Sequence, residues 1–301
     1  MKILVAGGTG FVGRRLLTRL LEEGHQVVLL TRDPEKAQAW HRRGAQVRSW
    51  ADPSWPRALE GQDAVVNLAG EGIADGRWTA ARKRRILRSR VDTTRALADA
   101  MASAAAPPTI LVNASAVGFY GPRGAEALDE AAAPGRGFLA QVCEAWEREA
   151  LRTRNFGTRV VLLRIGVVLG REGGALKRML PPFKLGLGGR LGSGTQWFPW
   201  IHADDVVGLI VAALQEPALD GPVNAVSPQA ATNAEFTRAL GRALGRPAVI
   251  PVPAPALRLL LGEMSEMLLG GQLVLPRAAQ KAGYRFKYPS LEGCLKDAAG
   301  G

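Results

Sequence analysis

Three glycines at positions 7, 10 and 13, in the stretch AGGTGFVGRRLL, have the spacing of a phosphate cradle. An apolar run precedes them and a helical pattern follows, the context that gives such a motif meaning. The first glycine permits a tight turn, the second lets the backbone approach a pyrophosphate, and the third lets helix and strand pack closely. Phe11 and Val12 open the helix, whose N-terminus supplies N–H donors and a positive dipole end. The next apolar run ends in Thr31 and Arg32, where an NAD-selective site places an acid for the ribose hydroxyls. A guanidinium there matches a 2′-phosphate in charge and forked donors, so NADP (as NADPH) is expected and NAD is less favoured. Asp33 would weaken that preference if it faced the ribose, but Pro34 after it marks a loop. Asp52, just past a third strand-like run, is placed to contact adenine. Leu68, Ala69, Gly70 and Glu71 close a fourth run, where strand ends face the ligand crevice of a doubly wound sheet.

Side chains able to move a proton are few. The tyrosines are Tyr120, Tyr284 and Tyr288, the histidines His25, His41 and His202, and the cysteines Cys143 and Cys294. None is grouped at metal-ligand spacing, and two cysteines make no disulfide framework, so no metal site is expected. Tyr120, Glu71 and His202 are the candidate catalytic groups. Arg77, further along the loop after Glu71, either meets the ligand or braces that loop. Asp204 and Asp205 follow His202, where their charges suit a helix N-terminus better than a metal. Glu144 and Glu147 near Cys143 would raise its pKa, and a buried cysteine is usually a small hydrophobe. Trp197, Phe198 and Trp200 suit either a flat ligand or the core.

The elements that must position these groups alternate. KILVAGG, HQVVLLTR, AQVRSW and DAVVNLAG are strands, and the helix RRLLTRLLEEG stops at Gly24. A helix follows from about Ala80 to Ala105, ended by Pro107 and Pro108, then the strand TILVNAS, a loop to Arg136, and a helix within residues 135–150. RVVLLRIGVVLG is a sixth strand with its extension. This alternation predicts an α/β fold, a Rossmann-like doubly wound parallel sheet over residues 1–220, with 170–205 contributing to the substrate pocket. DVVGLIVAALQ is helical, and residues 221–301 form a mostly helical C-terminal domain. It holds the strand-like PVNAVS, a helix capped near Thr232 and Asn233, and a very apolar helix, ALRLLLGEMSEMLLG, in a tail that packs on the main body.

With 47% hydrophobic residues and no apolar run near the ~20 residues of a membrane span, no membrane partner is expected. Glycines interrupt the apolar N-terminal run too early for a secretory leader, so the expected location is cytoplasmic. A net charge of +12 could suit nucleic acid, but arginine is scattered. The dense run RKRRILRSR, residues 82–90, reads as a solvated helix face with a narrow apolar edge at Ile86 and Leu87. The expected partner is therefore a small-molecule substrate rather than nucleic acid, with a homodimer as the assembly to consider.

GGTGFVG, VVNLAGE, NASAVGFYG and WIHADDVVGLIVAAL resemble the extended short-chain dehydrogenase/reductase superfamily, the branch of nucleotide-sugar epimerases and dehydratases. NLAGEGI, RW, SRV, FPWIHADD and the tail are similar to an atypical, epimerase-like subgroup whose members end in a small domain of unknown function, here from about residue 251. The resemblance covers essentially the whole chain and implies substrate recognition by its C-terminal third. It also implies a Tyr-x-x-x-Lys pair on one helix, the Lys lowering the Tyr pKa and holding the nicotinamide ribose. The chain departs from that pattern. In GRGFLAQVCEAWEREA the slots counted back from Glu147 fall on Leu139 and Cys143, and one residue earlier on Phe138 and Val142. The superfamily's catalytic Ser or Thr would fall on Ala116, with Ser115 beside it. Three explanations compete: Tyr120 takes over proton transfer, helped by Glu71, Arg77 or His202; the Cys143 thiol acts; or the ordinary reaction is lost, leaving an NADP(H)-binding regulator or scaffold. The expectation is an NADP-binding oxidoreductase or epimerase-like enzyme acting on a carbonyl or nucleotide-sugar substrate.

Overall fold

Alternate residues of the first strand enter two different cores: Ile3 and Val5 on one side, Leu4 and Ala6 on the other. A strand buried on both faces belongs inside a sheet with helices above and below. The computed structural model, which describes residues 1–171 and 173–299, has that architecture. Its main sheet holds β1 (Lys2–Ala6), β2 (Gln26–Thr31), β3 (Gln46–Ser49), β4 (Ala64–Asn67), β5 (Ile110–Ala116), β6 (Arg159–Ile165) and β7 (Gly221–Ala225). All seven run parallel in the order β7-β6-β5-β4-β1-β2-β3. The order reverses between β1 and β4, and there the carboxyl ends of the strands open a crevice.

One face is covered by α1 (Phe11–Glu22) and α4 (Ala203–Gln215), through Leu16, Leu17 and Leu20 and through Leu209 and Ile210. The other is covered by α2 (Ala80–Ser103) and α3 (Phe138–Leu151), through Leu97, Met101 and Ala150. The Thr79 hydroxyl starts α2 by accepting the Arg82 N–H at 3.2 Å.

Two expectations need correction. The run RVVLLRIGVVLG is not one extended strand, because the chain turns at Gly166, where a side chain would stand 2.3 Å from the Pro199 carbonyl oxygen. Beyond it Val167–Gly170 leaves the main sheet and pairs with Trp200–His202 and Gly173–Gly174. The apolar tail segment is not one helix either. Ala254–Leu261 ends at Gly262, whose φ of +60° only glycine adopts cheaply, and a 3₁₀ turn and the short helix Glu266–Leu269 follow. Leu259 and Leu260 stay exposed.

The remaining C-terminal helices close a third core. α5 (Asn233–Leu244) begins with a reciprocal Thr232–Glu235 capping box, and with α6 (Leu291–Ala299) it packs Phe236, Leu240, Leu291 and Leu295 on Leu169 and Trp200. Trp200 therefore belongs to the core. Among the described residues no helix is long and apolar enough to cross a membrane.

Candidate functional site

The crevice starts at the β1–α1 turn. Gly7 has a φ of +79°, and a side chain there would stand 2.6 Å from the backbone of Leu68 and Ala69, so β1 and β4 approach only because it has none. A side chain at Gly13 would stand 2.5 Å from the Gly7 carbonyl oxygen, so that glycine serves helix–strand packing. Gly10 differs. Its φ of −71° suits any residue, and a Cβ would meet only the Gly7 oxygen, at 3.3 Å. A side chain there would need the Gly7 oxygen to give only slightly, far less than at positions 7 and 13, whereas a ligand pressed on the backbone would exclude it. Gly10 is the N-cap of α1 with no side-chain cap, and the first turn carries no acid, so its N–H donors face outward unneutralised. Val12 packs against the core, and Phe11 lies against the backbone of Gly170, Gly173 and Gly174, none with room for a side chain beside it.

At the end of β2, Thr31 is buried and its hydroxyl accepts the Asp33 N–H at 3.2 Å. The Asp33 carboxylate turns to Lys36, 2.7 Å away, which holds it below the usual carboxylate range. Arg32 is exposed and makes no ion pair or side-chain hydrogen bond among the described residues. Asp52 caps its own turn, accepting from the backbone N–H and the hydroxyl of Ser54 at 2.9 and 2.8 Å. Those bonds lower its pKa.

At β4 a buried network fixes the backbone. The Asn67 amide donates to Asn113 at 2.7 Å and Thr94 at 2.8 Å, accepts the Ala69 N–H at 3.1 Å, and the Trp146 indole also donates to Thr94. The main chain of Leu68, Ala69 and Gly70 is thus held in place where it leaves the carboxyl end of β4. Glu71 is bound by Arg82 and lies 3.5 Å from Arg85, while its N–H donates to Ser89. Arg77 donates to the carbonyls of Leu259 and Leu260, tying its loop to the C-terminal helices.

The side chains around β5 and α3 form a second buried network. Ser115 donates to Glu147 at 2.6 Å, and Arg164 grips the same carboxylate through two bonds of 2.9 Å. Arg164 also donates to the Tyr120 hydroxyl at 2.9 Å, and that hydroxyl donates to Asn224 at 2.7 Å. Tyr120 is 0% exposed, and burial pushes its pKa up against the pull of Arg164. As placed, the hydroxyl is engaged both as donor and as acceptor and is closed off from solvent. Cys143 sits beneath the Ala116 carbonyl with its thiol pushed up to about 11, by burial first and then by Glu147. A thiol held there is inert near neutral pH. His202 caps α4, its Nδ1 accepting the Asp204 N–H at 3.1 Å, while Nε2 lies 3.2 Å from Asp297 and the ring stacks on Tyr288. It belongs to the joint between α4 and the C-terminal segment.

The structure therefore brings Gly7, Gly10, Gly13, Thr31, Arg32 and residues 68–71 to the adjoining carboxyl ends of β1, β2 and β4, and leaves Tyr120, Cys143 and His202 inside packed networks. Sequence reasoning missed Arg164 and Arg90, and it read Glu147 only as a charge near Cys143, not as the carboxylate that Ser115 and Arg164 share. Arg90 follows Ile86 by one helical turn and precedes Thr94 by one, which puts it on the buried stripe of α2. That spacing was legible. The basic run is consequently not a solvated face throughout: Arg82 is 11% exposed, and Arg90 turns inward over the Trp146 ring. Among the described residues no group of three or more His, Cys, Asp or Glu side chains is gathered to hold a metal ion.

Comparison with known proteins bears on this arrangement. The profile of the NAD dependent epimerase/dehydratase family matches residues 3–226, and that of a domain of unknown function, DUF1731, matches residues 252–298. The chain is 44% identical to "Epimerase family protein SDR39U1" of Bos taurus, covering 99% of both chains. It is 43% identical to the chloroplastic homologue of Arabidopsis thaliana, covering 98% of this chain and 86% of that one. The solved structure of the human epimerase family protein SDR39U1 with NADPH superposes with a TM-score of 0.91, at 40% identity and 99% coverage of each chain.

Proposed function

Because the chain belongs to the NAD dependent epimerase/dehydratase family, we propose that it binds NADPH in the β1–β4 crevice and acts as an oxidoreductase or epimerase-like enzyme on a carbonyl or nucleotide-sugar substrate. The observation that carries the reading is Gly10, where the fold itself opposes a side chain far less than at Gly7 and Gly13, at an uncapped helix N-terminus. The pyrophosphate is the group that fits there. Arg32, unpaired while Asp33 is turned to Lys36, supports a 2′-phosphate over a bare ribose, as does the human relative solved with NADPH. Leu68, Ala69 and Gly70 offer backbone to the second half of the dinucleotide, Thr31 shapes the adenosine side, and Asp52 borders the adenine. NADPH supplies hydride chemistry when bound. The protein's own part is to hold and orient the dinucleotide and to keep water from it.

A second reading has an observation in its favour. Tyr120, Cys143 and His202 are buried and engaged by protein partners, and Glu71 is ion-paired with Arg82, which suits an NADPH-binding regulator without ordinary turnover. The partner in the first reading is a small molecule, with a homodimer as the proposed assembly. The cytoplasm is the proposed compartment, although the Arabidopsis thaliana relative is named for the chloroplast.

Titration with NADPH and NADH tests the cofactor. NADPH is expected to bind more tightly, and Arg32→Ala to narrow the preference by ~10-fold or more, since charge-assisted bonds are about twice as strong as neutral ones. Equal affinities in the parent protein would defeat the assignment. Screening carbonyl compounds and nucleotide sugars for NADPH oxidation then separates enzyme from regulator.

A further inference from the structure

Arg90 is a cation that the networks above leave without a carboxylate partner. Its side chain runs from α2 across the carboxyl end of β4, so that a Cβ at Gly70 would stand 3.1 Å from its Cζ and 3.3 Å from its Nη2. The guanidinium lies 5.2 Å from the centroid of the Trp146 ring on α3. An arginine has five N–H donors in a fixed fork. Here Nη1 donates to the Ile86 carbonyl at 3.1 Å, and no other hydrogen bond or carboxylate pair engages the group among the described residues. Glu71, whose charge it senses, is already bound by Arg82. Burial pushes the Arg90 pKa down, as it does for a cation taken from water without a full counter-charge. The residue is nonetheless only half-buried, and it lies beside Gly70 at the carboxyl end of β4.

A dinucleotide in a doubly wound sheet spans the point where strand order reverses, one mononucleotide half on each side. Gly10 and the start of α1 lie at that point, and Arg32 ends β2 on one side of it. Gly70 and Arg90 lie on the other side, at β4. The pyrophosphate is taken by the helix N-terminus, so the forked oxygen group left for Arg90 is the vicinal diol of the second ribose. We propose that Arg90 binds the nicotinamide-side ribose of the cofactor, its fork donating to the two adjacent hydroxyls; this rests on the NADPH reading above. The stacked Trp146 ring and the Ile86 carbonyl hold the fork in place, and the partial dehydration of the site strengthens the bonds it makes.

Three probes bound to the full chain test this: NADPH, 2′-phospho-ADP-ribose, which keeps both riboses but lacks nicotinamide, and adenosine 2′,5′-bisphosphate, which lacks the second half altogether. Arg90→Met should weaken the first two by about 10-fold or more, the worth of a hydrogen bond to a charged group, and leave the third within about 2-fold. Arg90→Lys keeps the charge and the stem without the fork, and should show the same selectivity with a loss of about 3-fold. Should the methionine variant not fold, the lysine variant decides alone. Equal weakening of all three probes would mean a general structural effect and overturn the proposal, as would unchanged NADPH affinity in a folded variant. Loss for NADPH with 2′-phospho-ADP-ribose unaffected would move the contact to the nicotinamide carboxamide, and overturn it too. If the parent protein bound none of the probes, the NADPH reading itself would fall and this inference with it.

Discussion

At Gly10 two readings of a glycine part company. Glycine at position 7 is needed by the backbone and at 13 by packing, but at 10 the protein tolerates a side chain that a bound pyrophosphate does not. Gly10→Val is therefore expected to abolish NADPH binding while lowering the unfolding free energy by no more than about 1 kcal/mol, the centre of the range for single substitutions. Calorimetric titration and urea unfolding check the two halves, and a variant that binds normally would remove the cradle. Tyr120 is the opposite case. The sequence singles it out as the proton donor, because a tyrosine ending NASAVGFY follows a strand toward the crevice. Nothing in the sequence announces that Arg164 and Asn224, from β6 and β7, will claim its hydroxyl. Tyr120→Phe is expected to cost ~1–3 kcal/mol of stability, since it strands a buried donor and a buried acceptor, with NADPH affinity unchanged. Unaltered stability together with lost turnover would restore the tyrosine as an acid.

Elements settle what single residues leave open. Strand–helix alternation and the caps at Thr79 and Thr232 made the sheet and its helices legible, and the motifs at residues 7–13 and 67–71 made the family legible, as the matching profile shows. Illegible were the turn at Gly166 and the break at Gly262, because apolar content continues through both while the backbone does not. The joint between α4 and the tail was also hidden. Burial lowers the His202 pKa despite Asp204, Asp297 and Asp205 around it, so the folded protein keeps the imidazole neutral. Stability from this group is present above the ordinary imidazole range and is lost as pH falls through the lowered value, because the unfolded chain then binds more protons. Burial would raise Asp204, but the hydrogen bond and charge of Lys287, with the charge of Arg15, keep it low, so it titrates at more acidic pH. Between about pH 8 and pH 5 the melting temperature should therefore drop, and His202→Asn, which preserves the cap acceptor, should flatten that slope. An identical slope in the variant would show that another group carries it.

The whole molecule is tied together by carboxylates of α4. Asp205 is 1% exposed and accepts the backbone N–H groups of Lys287 and Tyr288 at 2.6 and 2.9 Å, while Asp204 bridges Arg15 of α1 and Lys287. The division into residues 1–220 and 221–301 is thus not a division of cores. β7 is the edge strand of the main sheet beside β6, and α6 completes a cluster that starts at Leu169. The sequence could not display this, since the contacts join residues far apart along the chain. It bears on synthesis. Leu291 and Leu295 each contribute on the order of 1.5–3 kcal/mol by leaving water, and they emerge from the ribosome after every surface they cover. Until α6 is made, the apolar sides of Phe236, Leu240 and Trp200 have no lid. A nascent chain can form its nucleotide crevice early, yet it stays adhesive to other apolar surfaces until nearly all of these residues have been translated.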